Sequence, residues 1–268
     1  MSTVALAGEA PHVIRFGRVL GEDEPVPAEA YVVGEQPWWE LTRWDETLAR
    51  TPSLRAQLRR AARHGVAVRE VSASELSQGT VLRGQLEALV DGWLRSRRMA
   101  PLQFAAEVAP FAHLERRRVF VAEMDGVPCA ALFGLPDGSS HVCLLDHLVR
   151  NRRVPNGTPE LLVDAAFRAA RAAGARRATL GLCALSGRVP GMLRWAGRVF
   201  RPLYDFEGLY AFRSRLHPHG WQRVLVEHPG QHALAGTVRA LRAFAGGSLT
   251  SFARETAGHL LRLCWHGP

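Results

Sequence analysis

The 268-residue chain contains no lysine: all 34 of its basic residues are arginine. Isoleucine occurs once, at Ile14, and asparagine twice, at Asn151 and Asn156. The missing lysine removes any lysine general base or Schiff-base nucleophile from the chemistry open to this chain. The four cysteines, Cys129, Cys143, Cys183 and Cys264, form no CxxC pair and lie among apolar neighbours, which reads as free buried thiols. The 11 histidines have no metal-ligand spacing either, so no metal is expected. No apolar run approaches the ~20 residues that span a bilayer. No basic start leads into a long apolar stretch, so no signal peptide is expected and the cytoplasm is the expected compartment.

What is abundant is positive charge. The net charge is +9, carried entirely by guanidinium groups. These stay ionised and grip phosphate through two parallel hydrogen bonds, which favours nucleic acid, anionic lipid or phosphorylated ligands. A hydrophobic fraction of 47% and a charged fraction of 22% are ordinary for a globular protein and exclude collagen-like, disordered and disulfide-scaffold classes.

Turn and cap signals divide the chain. A strand is expected near 13–16 and another at Tyr31–Gly34, followed by a crowd of aromatics, Trp38, Trp39 and Trp44, assigned to the core. Thr51-Pro52 opens a helix with Leu54 and Leu58 inward and Arg55, Arg59, Arg60 and Arg63 around the rest; Gly65 stops it. Val66–Val71 reads as a strand. Ser72-Ala73-Ser74-Glu75 is a capping box expected to open a helix running toward Arg98. Further on, Val119–Glu123, Val127–Leu135 and His141–Val149 form three strands joined by Asp-Gly turns at 125–126 and 137–138. A basic loop, Arg150 to Gly157, leads to a helix from Thr158 to Gly174. A strand at Ala178–Leu182, a helix near Leu209–Leu216 and a strand at Val224–Val226 follow. The tail from Gln231 alternates apolar and basic residues, as an amphipathic surface helix would.

Meander, loop, helix, strand, helix, strand is the order of an N-acetyltransferase-like (GNAT) half, giving an α/β fold with mixed sheets flanked by helices. The loop before Thr158 lacks the Gly-rich pattern that cradles a coenzyme A pyrophosphate, which disfavours acyl-CoA as donor.

Three blocks then resemble one family. Leu145-Asp146-His147-Leu148-Val149-Arg150 with Pro155-Asn156-Gly157 is similar to a pattern of the phosphatidylglycerol lysyltransferase (multiple peptide resistance factor) catalytic domains: an acidic residue ending a strand, an Arg, then Pro-Asn-Gly before a helix. Leu180-Gly181-Leu182 with Ala184-Leu185-Ser186-Gly187 resembles the family's Asn-Leu-Gly-Met-Ala-Pro-Leu segment. Tyr204-Asp205-Phe206-Glu207-Gly208-Leu209 through Arg213 resembles its Tyr-x-Phe-x-Gly-Leu-x-x-Phe-Lys. The chain departs from the family at Trp221-Gln222-Arg223-Val224, where an acidic residue is absent.

The resemblance implies tandem GNAT-like domains, divided here as 1–110, 111–230 and a basic tail at 231–268. It implies transfer of an aminoacyl group from aminoacyl-tRNA to a lipid head-group hydroxyl, with no cofactor. The expected partners are aminoacyl-tRNA and an anionic lipid or membrane surface. The alternatives are aminoacyl-tRNA-dependent or acyl-CoA-dependent transfer to a small-molecule acceptor, or a non-catalytic GNAT-like binding module. The candidate catalytic residues are Asp146, Ser186 and Arg213; Arg150, Arg152, Asn156, Gly157 and Tyr204 are candidates for substrate binding. No Ser-His-Asp order or nucleophile elbow is present, so no acyl-enzyme is expected.

Overall fold

The structure is a computed structural model that describes residues 2–5, 13–21, 23–28, 30–96, 110–136, 141–199 and 205–227. The expected turn at 137–138, Tyr204, Cys264 and the tail at 231–268 lie outside these residues. The strands are β1 (Ser2–Ala5), β2 (Val13–Leu20), β3 (Ala30–Glu40), β4 (Val66–Val71), β5 (Arg118–Met124), β6 (Val127–Pro136), β7 (Val142–Arg150), β8 (Arg177–Thr179), β9 (Cys183–Ala184) and β10 (Gly220–Glu227). The helices are α1 (Trp44–Arg50), α2 (Pro52–Arg63), α3 (Val81–Arg95), α4 (Thr158–Ala172), α5 (Gly191–Val199) and α6 (Phe206–Ser214).

All ten strands belong to one mixed sheet, ordered β1-β2-β10-β3-β8-β7-β6-β5-β4, with β9 added on β3. The expected halves, 1–110 and 111–230, share this sheet: β4 pairs with β5, and β3 pairs with β8, β9 and β10. The β5–β6–β7 meander turns at Asp125-Gly126, both with positive φ (52° and 76°), as a two-residue hairpin requires. Helix α4 then crosses over to β8, which pairs parallel to β7.

Helices cover both faces. On one face Leu54 and Ala61 of α2 and Leu162, Ala166 and Phe167 of α4 pack with Trp39, Trp44, Phe120 and Leu132. Trp39 and Trp44 are fully buried against Phe167, ring centroids 5.2 and 4.9 Å away. Each indole N–H is satisfied, Trp39 donating to Leu216 O at 2.9 Å and Trp44 to Asp164 Oδ1 at 2.7 Å. On the other face Leu86, Leu89 and Val90 of α3 pack on Val119, Val121, Phe133 and Val149. A third cluster joins Val33, Leu225 and Val226 to Leu193 of α5.

Several expectations needed correction. The capping box is made, with Ser72 N donating to Glu75 Oε2 at 2.9 Å and Glu75 N to Ser72 Oγ at 3.3 Å, yet residues 73–79 only turn. The helix begins at Val81, where Thr80 Oγ1 accepts from Arg83 N. Gly79, at φ +85°, interrupts the backbone between box and helix. Thr51 makes no side-chain cap; only its carbonyl enters the helix, accepting from Arg55 N. Of the strand expected at 178–182 only 178–179 forms, within β8, because Gly181 at φ +76° turns the chain before β9 begins at Cys183. Strand β1 and helices α1 and α5 were not anticipated.

Candidate functional site

The sheet splits where β7 and β8 part. They pair only between Val142–Leu144 and Arg177–Thr179. Beyond Thr179 the chain leaves β7 but stays with β3, where Cys183 faces Glu35 and Ala184 faces Gly34. The candidate residues gather around this divergence.

Asp146 lies on β7 where the strand bulges: Phe133 pairs with His147 and Gly134 with Leu145, leaving Asp146 without a partner. The extra residue reverses the strand's alternation. Leu145 packs in the α4-side core, but Val149, four residues on, packs in the α3-side core. The bulge brings consecutive side chains together, with His147 Nδ1 2.8 Å from Asp146 Oδ2. That contact is close but misaligned for a hydrogen bond. The aligned donor is Arg117, whose Nη1 lies 3.1 and 3.0 Å from the two carboxylate oxygens. Burial pushes the Asp146 carboxyl up, but His147 and Arg117 outweigh it and hold the group below its ordinary 3.8. Asp146 is therefore a fixed negative charge at neutral pH.

A second polar centre, missed by the sequence reading, lies on β3. Glu35 is 1% exposed. Its Oε1 accepts from Arg188 Nε at 3.0 Å and its Oε2 from Tyr210 Oη at 3.4 Å. Tyr210 stacks on Trp221, centroids 4.2 Å apart. Burial first, then the Glu35 charge, raises the Tyr210 pKa, so the phenol keeps its proton. The available signal was a lone carboxylate directly after the apolar run Tyr31–Gly34. Gly187 packs against this carboxylate so closely that a Cβ there would fall 2.1 Å from Oε2. Next to it, Ser186 is buried and its Oγ has no partner among the described residues.

Arg213 is buried on α6 and donates from Nη1 to Gly181 O at 2.7 Å and to Cys183 Sγ at 3.1 Å. It thus holds the backbone that turns away from β7. Glu35 and Tyr210 share the Trp39 side of the sheet, whereas Asp146 and Arg117 take the α3 side: Arg117 continues the Val119–Val121 alternation of β5. The two centres flank the split from opposite faces.

The loop residues fall elsewhere. Arg150, Arg152, Arg153 and Asn156 are exposed, and the three arginines have no ion-pair partner among the described residues. Gly157 is buried with φ +96°, and a Cβ there would lie 2.0 Å from Gln57 O. It is the point where α4 meets α2, whose Arg59, Arg60 and Arg63 are exposed as well. The first set of arginines thus lies at the end of β7 and in the loop that leads into this contact, and the second on α2 itself. Cys129, Cys143 and Cys183 are free and buried, as expected, and burial pushes Cys143 up to about 11. Among the described residues no group of three or more His, Cys, Asp or Glu could hold a metal, and no helix is long and apolar enough to cross a membrane.

A three-stranded meander, a crossover helix, a parallel strand that splays from the meander, and a polar centre at the splay define a GNAT-like fold. Residues 42–226 match the family described as phosphatidylglycerol lysyltransferase, C-terminal, and the chain belongs to that family. Among solved structures it is similar to the C-terminal domain (DUF2156) assigned to a lysylphosphatidylglycerol synthetase of Agrobacterium fabrum, at 26% identity and TM-score 0.63, covering 82% of this chain and 68% of that one. It is similar in fold to L-PGS from Bacillus licheniformis, at 18% identity and TM-score 0.63, covering 85% and 68%. No curated protein sequence matches significantly.

Proposed function

We propose that this chain moves an aminoacyl group from aminoacyl-tRNA to a hydroxyl of a polar or anionic lipid such as phosphatidylglycerol. The observation that carries the reading is the family match over residues 42–226, which supports aminoacyl transfer to lipid in general. In the reaction the lipid hydroxyl attacks the aminoacyl ester carbonyl. The terminal tRNA ribose oxygen leaves and takes up the proton that the lipid oxygen gives up, so one ester replaces another and no external energy source is needed. Binding and orientation then supply most of the catalysis.

The residues divide by what their chemistry allows. A carboxylate held below its usual pKa is a poor general base, so Asp146 serves better as a fixed negative charge for the donor α-ammonium. Ser186 Oγ, without a partner among the described residues, is the hydroxyl offered as donor to a developing oxyanion. Arg213 positions the turn that carries the Ser186 segment. Arg150 and Arg152, with Asn156 beside them, join the α2 arginines in a basic surface suited to phosphates. Gly157 acts through the α2–α4 contact, and Tyr204 is retained as an acceptor-side candidate on sequence grounds.

The test is turnover of radiolabelled aminoacyl-tRNA with and without phosphatidylglycerol. Label appearing in the lipid fraction supports the reading, and label in a water-soluble product shifts the acceptor to a small molecule. Donor binding without turnover identifies a non-catalytic module. The Gln222 position gives that last outcome its motivation: its Oε1 accepts from Gln36 Nε2 at 3.2 Å where the family has an acidic residue.

A further inference from the structure

Helix α5 presents an unusual outer face. Leu193 and Gly197 turn inward, Gly197 packing within 3.3 Å of Leu185 where a Cβ is added. At 100° per residue, Gly191, Trp195 and Arg198 then share the opposite side, while Arg194 lies on the flank, its Nη2 donating to Val189 O at 3.3 Å; all four residues are exposed. Trp195 is 62% exposed, the one aromatic among the exposed large hydrophobic residues described. An indole left in water beside two guanidiniums is the side-chain set that settles at a phospholipid interface, the ring at head-group depth and the arginines on the phosphates. The helix also adjoins the candidate site: Leu185 precedes Ser186, and Arg188, which pairs with Glu35, lies three residues before Gly191.

We infer that the Trp195–Arg198 face of α5, with Arg194 at its flank, is where this chain rests on an anionic phospholipid bilayer. The choice of a bilayer over RNA follows from the contrast with the other basic surface. There Arg59, Arg60, Arg63, Arg150, Arg152 and Arg153 stand with no exposed large apolar residue among them, as suits a phosphate backbone in water. On α5 the charge comes with a ring to insert. The net charge of +9 complements an anionic leaflet. The inference rests on the lipid-acceptor reading, because docking here places the candidate site against the head groups.

The experiment measures co-sedimentation of the full chain with vesicles of phosphatidylcholine alone and of phosphatidylcholine containing phosphatidylglycerol. Wild type should bind the anionic vesicles selectively. Trp195→Ala should weaken that binding about tenfold and Arg198→Ala about fivefold, the latter being the pull of one arginine toward an anionic surface. Phospholipid brominated near the head group should quench part of the wild-type fluorescence and less of the Trp195→Ala fluorescence. Neither variant should change tRNA binding. Transfer to phosphatidylglycerol dispersed in detergent should be unchanged, while transfer to vesicles should fall. Unchanged vesicle binding in both variants overturns the inference, as does a loss of tRNA binding or of a Trp195-dependent dimer in sedimentation velocity. If wild type transfers nothing to dispersed lipid but still binds vesicles through Trp195, the functional reading fails and the surface stands.

Discussion

Replacing Asp146 with asparagine keeps the shape of the bulged side chain and removes its charge. Arg117, whose side chain is 10% exposed, would lose the carboxylate that two of its three hydrogen bonds reach, keeping the one from Nε to Ala112 O, and Asp146 itself is 19% exposed. Breaking a fully buried pair costs about 3–5 kcal/mol, and a hydrogen bond to a charged group is worth about 1.5–3. Some solvent reaches both groups, and asparagine still accepts one bond, so the expected loss is about 2 kcal/mol. For a chain of this size that lowers the melting temperature by about 4–8 °C at neutral pH. The sign with pH follows from the lowered pKa of the folded state. The unfolded chain binds the proton more tightly, so the stabilisation is complete above about pH 5 and drains away as pH falls through the ordinary carboxylate value toward the folded one. The stability gap between wild type and Asp146→Asn should therefore narrow as pH falls below the ordinary carboxylate value. Arg117→Ala in both backgrounds completes a double-mutant cycle, with an expected coupling of about 2 kcal/mol. If the charge also holds the donor ammonium, transfer falls at least about tenfold, ~1.4 kcal/mol of barrier. Additive variants with a pH-independent gap would refute the ion pair. A coupled, pH-dependent loss of stability with unchanged transfer would confine Asp146 to structure.

Gly157→Ala should cost about 3 kcal/mol or more, since a Cβ at φ +96° is strained and meets the α2 backbone at 2.0 Å; a melting temperature within about a degree of wild type would contradict this. Glu35→Gln should cost about 1.5 kcal/mol, the low end for a charged hydrogen bond because Arg188 is 58% exposed. It should also let the Tyr210 phenol titrate at lower pH in difference absorbance, because the Glu35 charge, which adds to burial in raising it, is gone. Changing Arg59, Arg63 and Arg152 together to alanine should reduce the slope of log affinity for tRNA against log salt by roughly 2–3, at ~0.9 for each phosphate no longer neutralised. An unchanged slope would place the tRNA on another surface.

Much of the fold was legible where backbone chemistry is local. Asp125-Gly126 marked its hairpin, Gly65 and Gly174 ended their helices at φ +79° and +90°, and Thr158-Pro159 opened α4. The aromatics at 38–44 read as core, and Trp39 and Trp44 are buried there, although Trp38 remains half-exposed, 4.5 Å beneath the Arg177 guanidinium. Non-local features were not legible. A capping box promises a helix only if the next turns are free to continue, and Gly79 and Thr80 restart the chain instead. The Asp146 bulge depends on register against β6, and the partnership of Glu35 with Tyr210 spans 175 residues. Sequence patterns offered Asp146, Ser186 and Arg213 as candidates, but the packing decides which face each occupies.

The position of β10 has a consequence for how the molecule comes into being. It lies between β2 and β3, pairing Val224 with both Val19 and Gly34. During synthesis β3 therefore waits for a partner encoded nearly at the end of the described chain, and Trp221, which stacks on Tyr210, arrives with it. Until then the edge of β3 beside Glu35 is bare and open to pairing with other chains, the exposure that makes long-range sheets slow to fold and prone to aggregate. A ribosome-bound fragment could complete the β5–β6–β7 meander and helix α4 yet still lack the β10 side of the Glu35 centre. Assembly of that centre is thus tied to completion of the sheet, and a chain cut short before Gly220 would forfeit both at once.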